Sequence, residues 1–255
     1  LGCGSSSGGW FGPPAARLAP ILAALHASAP PLESLCVDGC AIAPGDEHAS
    51  LALLRVATRF ERLHHLSLGG TRLPVDAICA VAAILVHNNA RPPLSLDCAR
   101  NALGEIGGLK LAAVLRGAVS LRALELADNE LGPAGVCAVA NSLRGVRSLT
   151  ALGLARNIRT PAHSTSRAAA LSLADDDHSP FGGNGIVDVT HLDEEATDAR
   201  GTFRAIGRLL SDERCALRLL DIGGDPCTHA LADAVTPLLM TLANCPTLTS
   251  ANVSG

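Results

Sequence analysis

Aromatic side chains are almost missing: four Phe, one Trp and no Tyr make up 2% of 255 residues. Such a chain offers little for bases to stack on and few of the rings that line small-molecule pockets. Surplus positive charge is missing too. Twenty basic against 24 acidic residues leave a net charge of -4, the wrong sign for reading a phosphate backbone. A nucleic-acid partner is not expected. The longest clean apolar run, Ala77 to Val86, is ten residues and too short to span a bilayer, so no membrane role is expected either. The opening LGCGSSSGGWFGPPAAR has no starting Met and no basic stretch followed by an apolar one. No secretory signal is read there, and the chain reads as a segment of a longer protein.

Catalytic signatures are also lacking. There is no G-x-S-x-G elbow, no P-loop and no dinucleotide fingerprint, so no catalytic residue and no cofactor are expected. Asp175, Asp176, Asp177 and His178 are consecutive, and consecutive carboxylates do not converge on one ion without a shaped loop; no EF-hand spacing follows them. They read as a solvated loop. His64 and His65 have no cysteine or carboxylate at ligand spacing, and no metal is expected. The nine cysteines are odd in number, scattered, and form no CxxC pair. They read as small hydrophobes in a reducing compartment, which points to the cytoplasm.

What the chain has in quantity is small aliphatic residues, in a pattern that recurs. Residues 121–148 read LRALELADNELGPAGVCAVANSLRGVRS. Leucines stand at the first, fourth, sixth and eleventh positions, Asn129 at the ninth, and an alanine-rich run follows. Units begin near Leu32, Leu63, Pro93, Leu121, Leu149, Asn184, Leu217 and Leu248. A strand, a turn and a helix in about 30 residues cannot bury their own apolar face, so each unit needs a neighbour on either side.

The pattern resembles the leucine-rich repeat of the ribonuclease-inhibitor subtype, LxxLxLxxNxLGxxGxxxLAxxL, most closely in PLSLDCARNALGEIGGLKLAAVL and LRALELADNELGPAGVCAVANSL. The resemblance implies an α/β solenoid, a horseshoe with a parallel sheet on its concave face and helices on its convex face. The whole of 1–255 is expected to form one such domain of about eight units. The resemblance also implies a ladder in which Asn101, Asn129 and Asn157 bond the loop backbone inside the stack. Gly104, Gly107, Gly132 and Gly135 are expected to let the chain turn and the helices approach.

Along the chain, helices are expected at about 14–27, 46–60, 75–86, 197–210 and 228–242, besides those of the two most regular units. The pattern fails after Asn157, and 158–186 reads as an irregular insertion. Val187-Asp188-Val189 is expected to resume the sheet; the alternative uses Leu171-Ser172-Leu173 as a strand.

Side chains alternate along a strand, so the fifth position of each unit points away from the core. Across eight units it holds Cys36, Ser67, Asp97, Glu125, Gly153, Asp188, Asp221 and Asn252, of which four are acidic and none is basic. Asp97, Glu125, Asp188 and Asp221 are therefore the candidate binding residues, and a basic protein surface is the partner they suit. Arg100, Arg122, Arg156 and Arg218 partly offset this field. The resulting expectation is a non-enzymatic protein-binding module, a scaffold or sensing segment, using the concave face or the loop edge. Members of the same repeat class that activate the GTPase Ran supply the alternative.

Overall fold

The computed structural model describes residues 18–28, 30–40, 42, 47–88, 90–158, 199–224 and 232–254. Seven strands form one parallel sheet in chain order: β1 (Ser34–Cys36), β2 (His65–Ser67), β3 (Leu94–Asp97), β4 (Leu121–Glu125), β5 (Ala151–Gly153), β6 (Leu219–Asp221) and β7 (Ser250–Asn252). Seven described helices alternate with them: α1 (Leu18–Ser28), α2 (Glu47–Arg59), α3 (Val75–Val86), α4 (Gly104–Leu115), α5 (Gly132–Ser142), α6 (Ala199–Leu210) and α7 (Ala232–Asn244). Each helix packs on the next in the same order as the strands, and the sheet does not close into a barrel. The molecule is an α/β solenoid.

Its interior follows from the leucine positions. Leu35, Leu66, Leu96, Leu124, Leu152 and Leu220, one on each of β1 to β6, are all buried in a single continuous core. In β3 the neighbours alternate with the leucines, running buried, half-buried, buried, half-buried. Helix α3 is Val, Ala, Ile and Leu apart from Asp76 and Cys79, and it stands behind Pro74, whose fixed φ suits a helix start. Helix α6 carries Arg200, Arg204 and Arg208 outward and buries Phe203, Ile206 and Leu210. Left-handed glycines follow α4 and α5, at Gly117 (φ 74°) and Gly145 (φ 78°), and end them.

Two expectations about register are corrected. Leu94, not Pro93, fills the first position of the third unit. It pairs with Leu121, and the register shifts between Leu94 and Ser95, so that Arg122 is the extra residue on β4. The second correction is larger. β5 pairs directly with β6, Leu152 with Leu220, and no strand lies between them. Helix α6 packs on α5, completing the unit that β5 begins. Residues 159–198 therefore fall inside one repeat, between its turn and its helix, rather than between two repeats. The periodic pattern gave no sign of this, because β5 and its turn keep perfect spacing while the helix sits some forty residues late.

The expected strand 187–189, the alternative strand 171–173 and the acidic run 175–177 all lie outside the described residues.

Candidate binding surface

The strands present the fifth-position residues as one row. Cys36 is level with Ser67, Ser67 with Asp97, Asp97 with Glu125, Glu125 with Gly153, Gly153 with Asp221, and Asp221 with Asn252. Adjacent strands are about 4.8 Å apart, so Asp97 and Glu125 are immediate neighbours. Gly153 and Asp221 are direct partners, and Asp188 lies outside the described residues.

Each acid in the row has a local task that the sequence pattern does not announce. Asp97 Oδ1 accepts the N–H of Ala99 at 2.9 Å, Glu125 Oε1 that of Ala127 at 2.9 Å, and Asp221 Oδ1 that of Gly223 at 3.0 Å. Asn252 Oδ1 does the same for Ser254 at 3.2 Å. Each of these strands ends at its row residue, and a side-chain acceptor there satisfies an amide two residues on that has left the strand. The type of residue follows: an acceptor on a short stem, which explains why acids and an asparagine recur.

Asp38 was missed by the repeat reading because it stands two positions later. Its Oδ1 accepts Ser67 Oγ at 2.5 Å and the Gly69 N–H at 2.7 Å. Ser67 Oγ also lies 3.3 Å from Asp97 Oδ2, so the acidic row reaches two units further toward the N-terminus, to Asp38 in the first.

Gly153 gives the row its shape. With no side chain there, the Glu125 carboxylate lies across the glycine, where a Cβ would collide with it. That posture carries Glu125 toward Asp221. Burial raises its carboxyl above the usual range; Asp97 and Asp221 push the same way, against the amides of Ala127 and Leu126. Among the described residues no cluster of His, Cys, Asp and Glu is arranged to hold a metal ion.

Below the row the turns repeat a second pattern. Asn101, Asn129 and Asn157 are buried. Asn129 Nδ2 donates to the carbonyls of Leu126 and Cys98, both at 2.9 Å, and its Oδ1 accepts the Asn101 N–H at 2.8 Å. Asn157 repeats this one unit on, donating to Leu154 and Leu126 and accepting from Asn129. Asn101 donates to Cys98 and Leu68, and its Oδ1 accepts the Arg72 N–H at 2.8 Å. Thr71 stands where the asparagine would, donating to Leu68 at 2.8 Å.

The ladder holds an unusual backbone. Arg100, Asp128 and Arg156 adopt φ of 59°, 56° and 55°, and Arg72, Ala102 and Glu130 do so two positions later. These left-handed residues form the rim of the sheet. There Arg156 grips Asp128 with Nε at 2.6 Å and Nη2 at 2.5 Å. Of the arginines expected to offset the acidic field, this one is committed to the rim. Arg100 and Arg122 are exposed.

No protein-family model matches this sequence, and no curated protein matches it either. No described helix is long and apolar enough to cross a membrane.

Proposed function

We propose that the chain is a leucine-rich-repeat module of the ribonuclease-inhibitor type that binds another protein and has no catalytic activity of its own. The partner presents a basic surface to the row running from Asp38 through Asp97 and Glu125 to Asp221. The observation that supports this reading most is the in-register row itself, acidic on three strands, without a basic member. The row's hydrogen bonds occupy only part of each carboxylate: Glu125 Oε1 holds Ala127 while Oε2 lies over Gly153. A carboxylate has about four acceptor sites, so a lysine or arginine from a partner has oxygens left to meet. The leucine framework and the asparagine rungs support the family reading. Free thiols among the described cysteines support a reducing, cytoplasmic setting for the module.

The test replaces Asp97 by Asn and Glu125 by Gln, which keeps an acceptor for Ala99 and Ala127 while removing both charges. A lysine- and arginine-rich partner, captured and then purified, is titrated with both proteins at low and high salt. Weaker binding by the variant at low salt, with the difference shrinking at high salt, supports the row. Equal affinity at both salts overturns it.

One observation favours the GTPase-activating alternative. Arg72 and Arg100 stand exposed on the rim in left-handed backbone, where a glycine would be cheaper. Stimulated hydrolysis of GTP by a Ran-like GTPase, lost on replacing either arginine by alanine, would establish that reading; saturable binding without turnover would exclude it.

A further inference from the structure

Two thiols occupy matching places in the last two units. Cys215 follows α6 and Cys245 directly follows α7, and the units they belong to are neighbours, with Leu219 paired to Ser250. The N–H groups of Thr249 and Ser250 both donate to the Arg218 carbonyl, at 2.8 and 3.0 Å. The two turns are built alike: the Cys215 N–H donates to Asp212 at 2.8 Å, and the Cys245 N–H to Leu242 at 3.3 Å. Leu217 and Leu248 then enter the core or pack against it. This repetition sets the two cysteines at matching turns of adjacent units, where burial raises the Cys215 thiol and the Cys245 side chain adds to it. Both are free and only half-buried, whereas Cys40, Cys98 and Cys137 are enclosed in the core. Cys215 also borders a surface recess between Leu143, Val146 and Leu209.

We propose that Cys215 and Cys245 form a reversible disulfide that fastens the unit of β7 to the unit of β6, made by thiol–disulfide exchange with a low-molecular-weight disulfide such as glutathione disulfide. One protein thiolate attacks a sulfur of the small disulfide, whose S–S bond breaks to release one small thiolate. The second protein thiol loses its proton to solvent and attacks the mixed disulfide, expelling the second small thiolate. Two protein thiols are oxidised and one small disulfide is reduced to two thiols.

The bond closes the loop from 215 to 245, which holds β6 and α7. That end of the sheet has the least packing to hold it. All three residues of β7 are exposed, and α7 leaves Met240 62% exposed. Local opening begins where buried contacts are fewest, so a covalent tie acts here more than it would in the middle of the stack. The inference does not rest on the proposed binding function.

The experiment incubates the full chain with glutathione disulfide over a pH series, blocks remaining thiols, and maps the bridges by mass spectrometry without reduction. Trypsin, cutting after Arg214 and Arg218, isolates Cys215; cleavage before Asp233 separates Cys245 from Cys227. The expected product is a single cross-linked pair, lighter by the lost thiol hydrogens, absent from Cys215→Ser and from Cys245→Ser. Burial raises the Cys215 thiol, so the bridge should form faster as pH rises and thiolate becomes available. Hydrogen exchange over 232–254 should slow in the oxidised protein. Glutathione still attached to either cysteine at completion, a bridge to Cys227, both thiols remaining reduced, or unchanged exchange over 232–254 would each overturn the proposal.

Discussion

The side-chain carbonyl of Asn129 accepts the backbone N–H of Asn101, while its amide donates to the carbonyl of Cys98 in the same preceding unit. One side chain thus ties two strands of loop together in a place with no water to substitute. Asn129→Ala leaves buried donors and acceptors unpaired and should cost about 1–3 kcal/mol. Asn129→Asp keeps the acceptor for Asn101 but turns two donated bonds into oxygen facing oxygen, so it should be at least as harmful. Denaturant melts of both variants check this; an aspartate variant as stable as wild type would show that the donors contribute nothing.

Leu124 tests the core in the same unit. It is 1% exposed, with Leu96 and Leu152 level with it on either side. Leu124→Ala should cost about 2–5 kcal/mol through the cavity it leaves. The same melt measures it, and a loss below 1 kcal/mol, by the roughly 24 cal/mol per Å³ scale for cavities, would mean that the stack collapses around the gap.

Much of this architecture is written in the leucine spacing, because a position that must be buried in every unit tolerates few residue types. Strands β1 to β4 and helix α3 fall where that spacing puts them. The unit begun by β5 does not, because periodicity reports where a pattern resumes, and a segment inserted between turn and helix looks the same as one inserted between repeats. Only the pairing of Leu152 with Leu220 distinguishes the two. The acidic row was legible as a row of charges. Its link to the amides of Ala99, Ala127 and Gly223 was not, since an i to i+2 bond depends on the strand ending just there. Asp38 was invisible for a related reason: it joins the row through Ser67 and not through its own repeat position.

Two glycines separate a costly contact from a cheap one. A methyl on Gly108 would lie 2.9 Å from the Gly135 Cα, backbone against backbone where α4 and α5 cross. Neither helix can yield without moving its neighbours, so Gly108→Ala should cost about 1–3 kcal/mol, the usual range for overpacking. A methyl on Gly153 would first meet the end of the Glu125 side chain, which can swing away. Gly153→Ala should therefore cost less, the loss being the Glu125 bond to Ala127. Thermal melts side by side decide it; the reverse order would mean that the helix stack is looser than the sheet.

Glu125 gives the fold a pH dependence of predictable sign. Its carboxyl is raised above the usual range, chiefly by burial and further by Asp97 and Asp221. A carboxyl whose folded value exceeds its unfolded one, about 4.3, favours the protonated form in the native state. Ionisation therefore weakens the fold: the penalty is fully present above the folded value, shrinks as pH falls through it, and is gone below the unfolded value. Glu125→Gln removes that charge and keeps the oxygen that receives the Ala127 N–H. The variant should be more stable than wild type at neutral pH, and the gap should close toward about pH 4, where wild type is itself protonated. Other titrating groups are common to both proteins and cancel in the difference. Because burial is the larger cause, high salt should leave most of the gap in place, whereas a gap made by Asp97 and Asp221 alone would be screened. Chemical denaturation of both proteins at neutral and acid pH, with and without salt, reads all of this. A gap of the same size at both pH values would mean that Glu125 titrates as an ordinary surface acid.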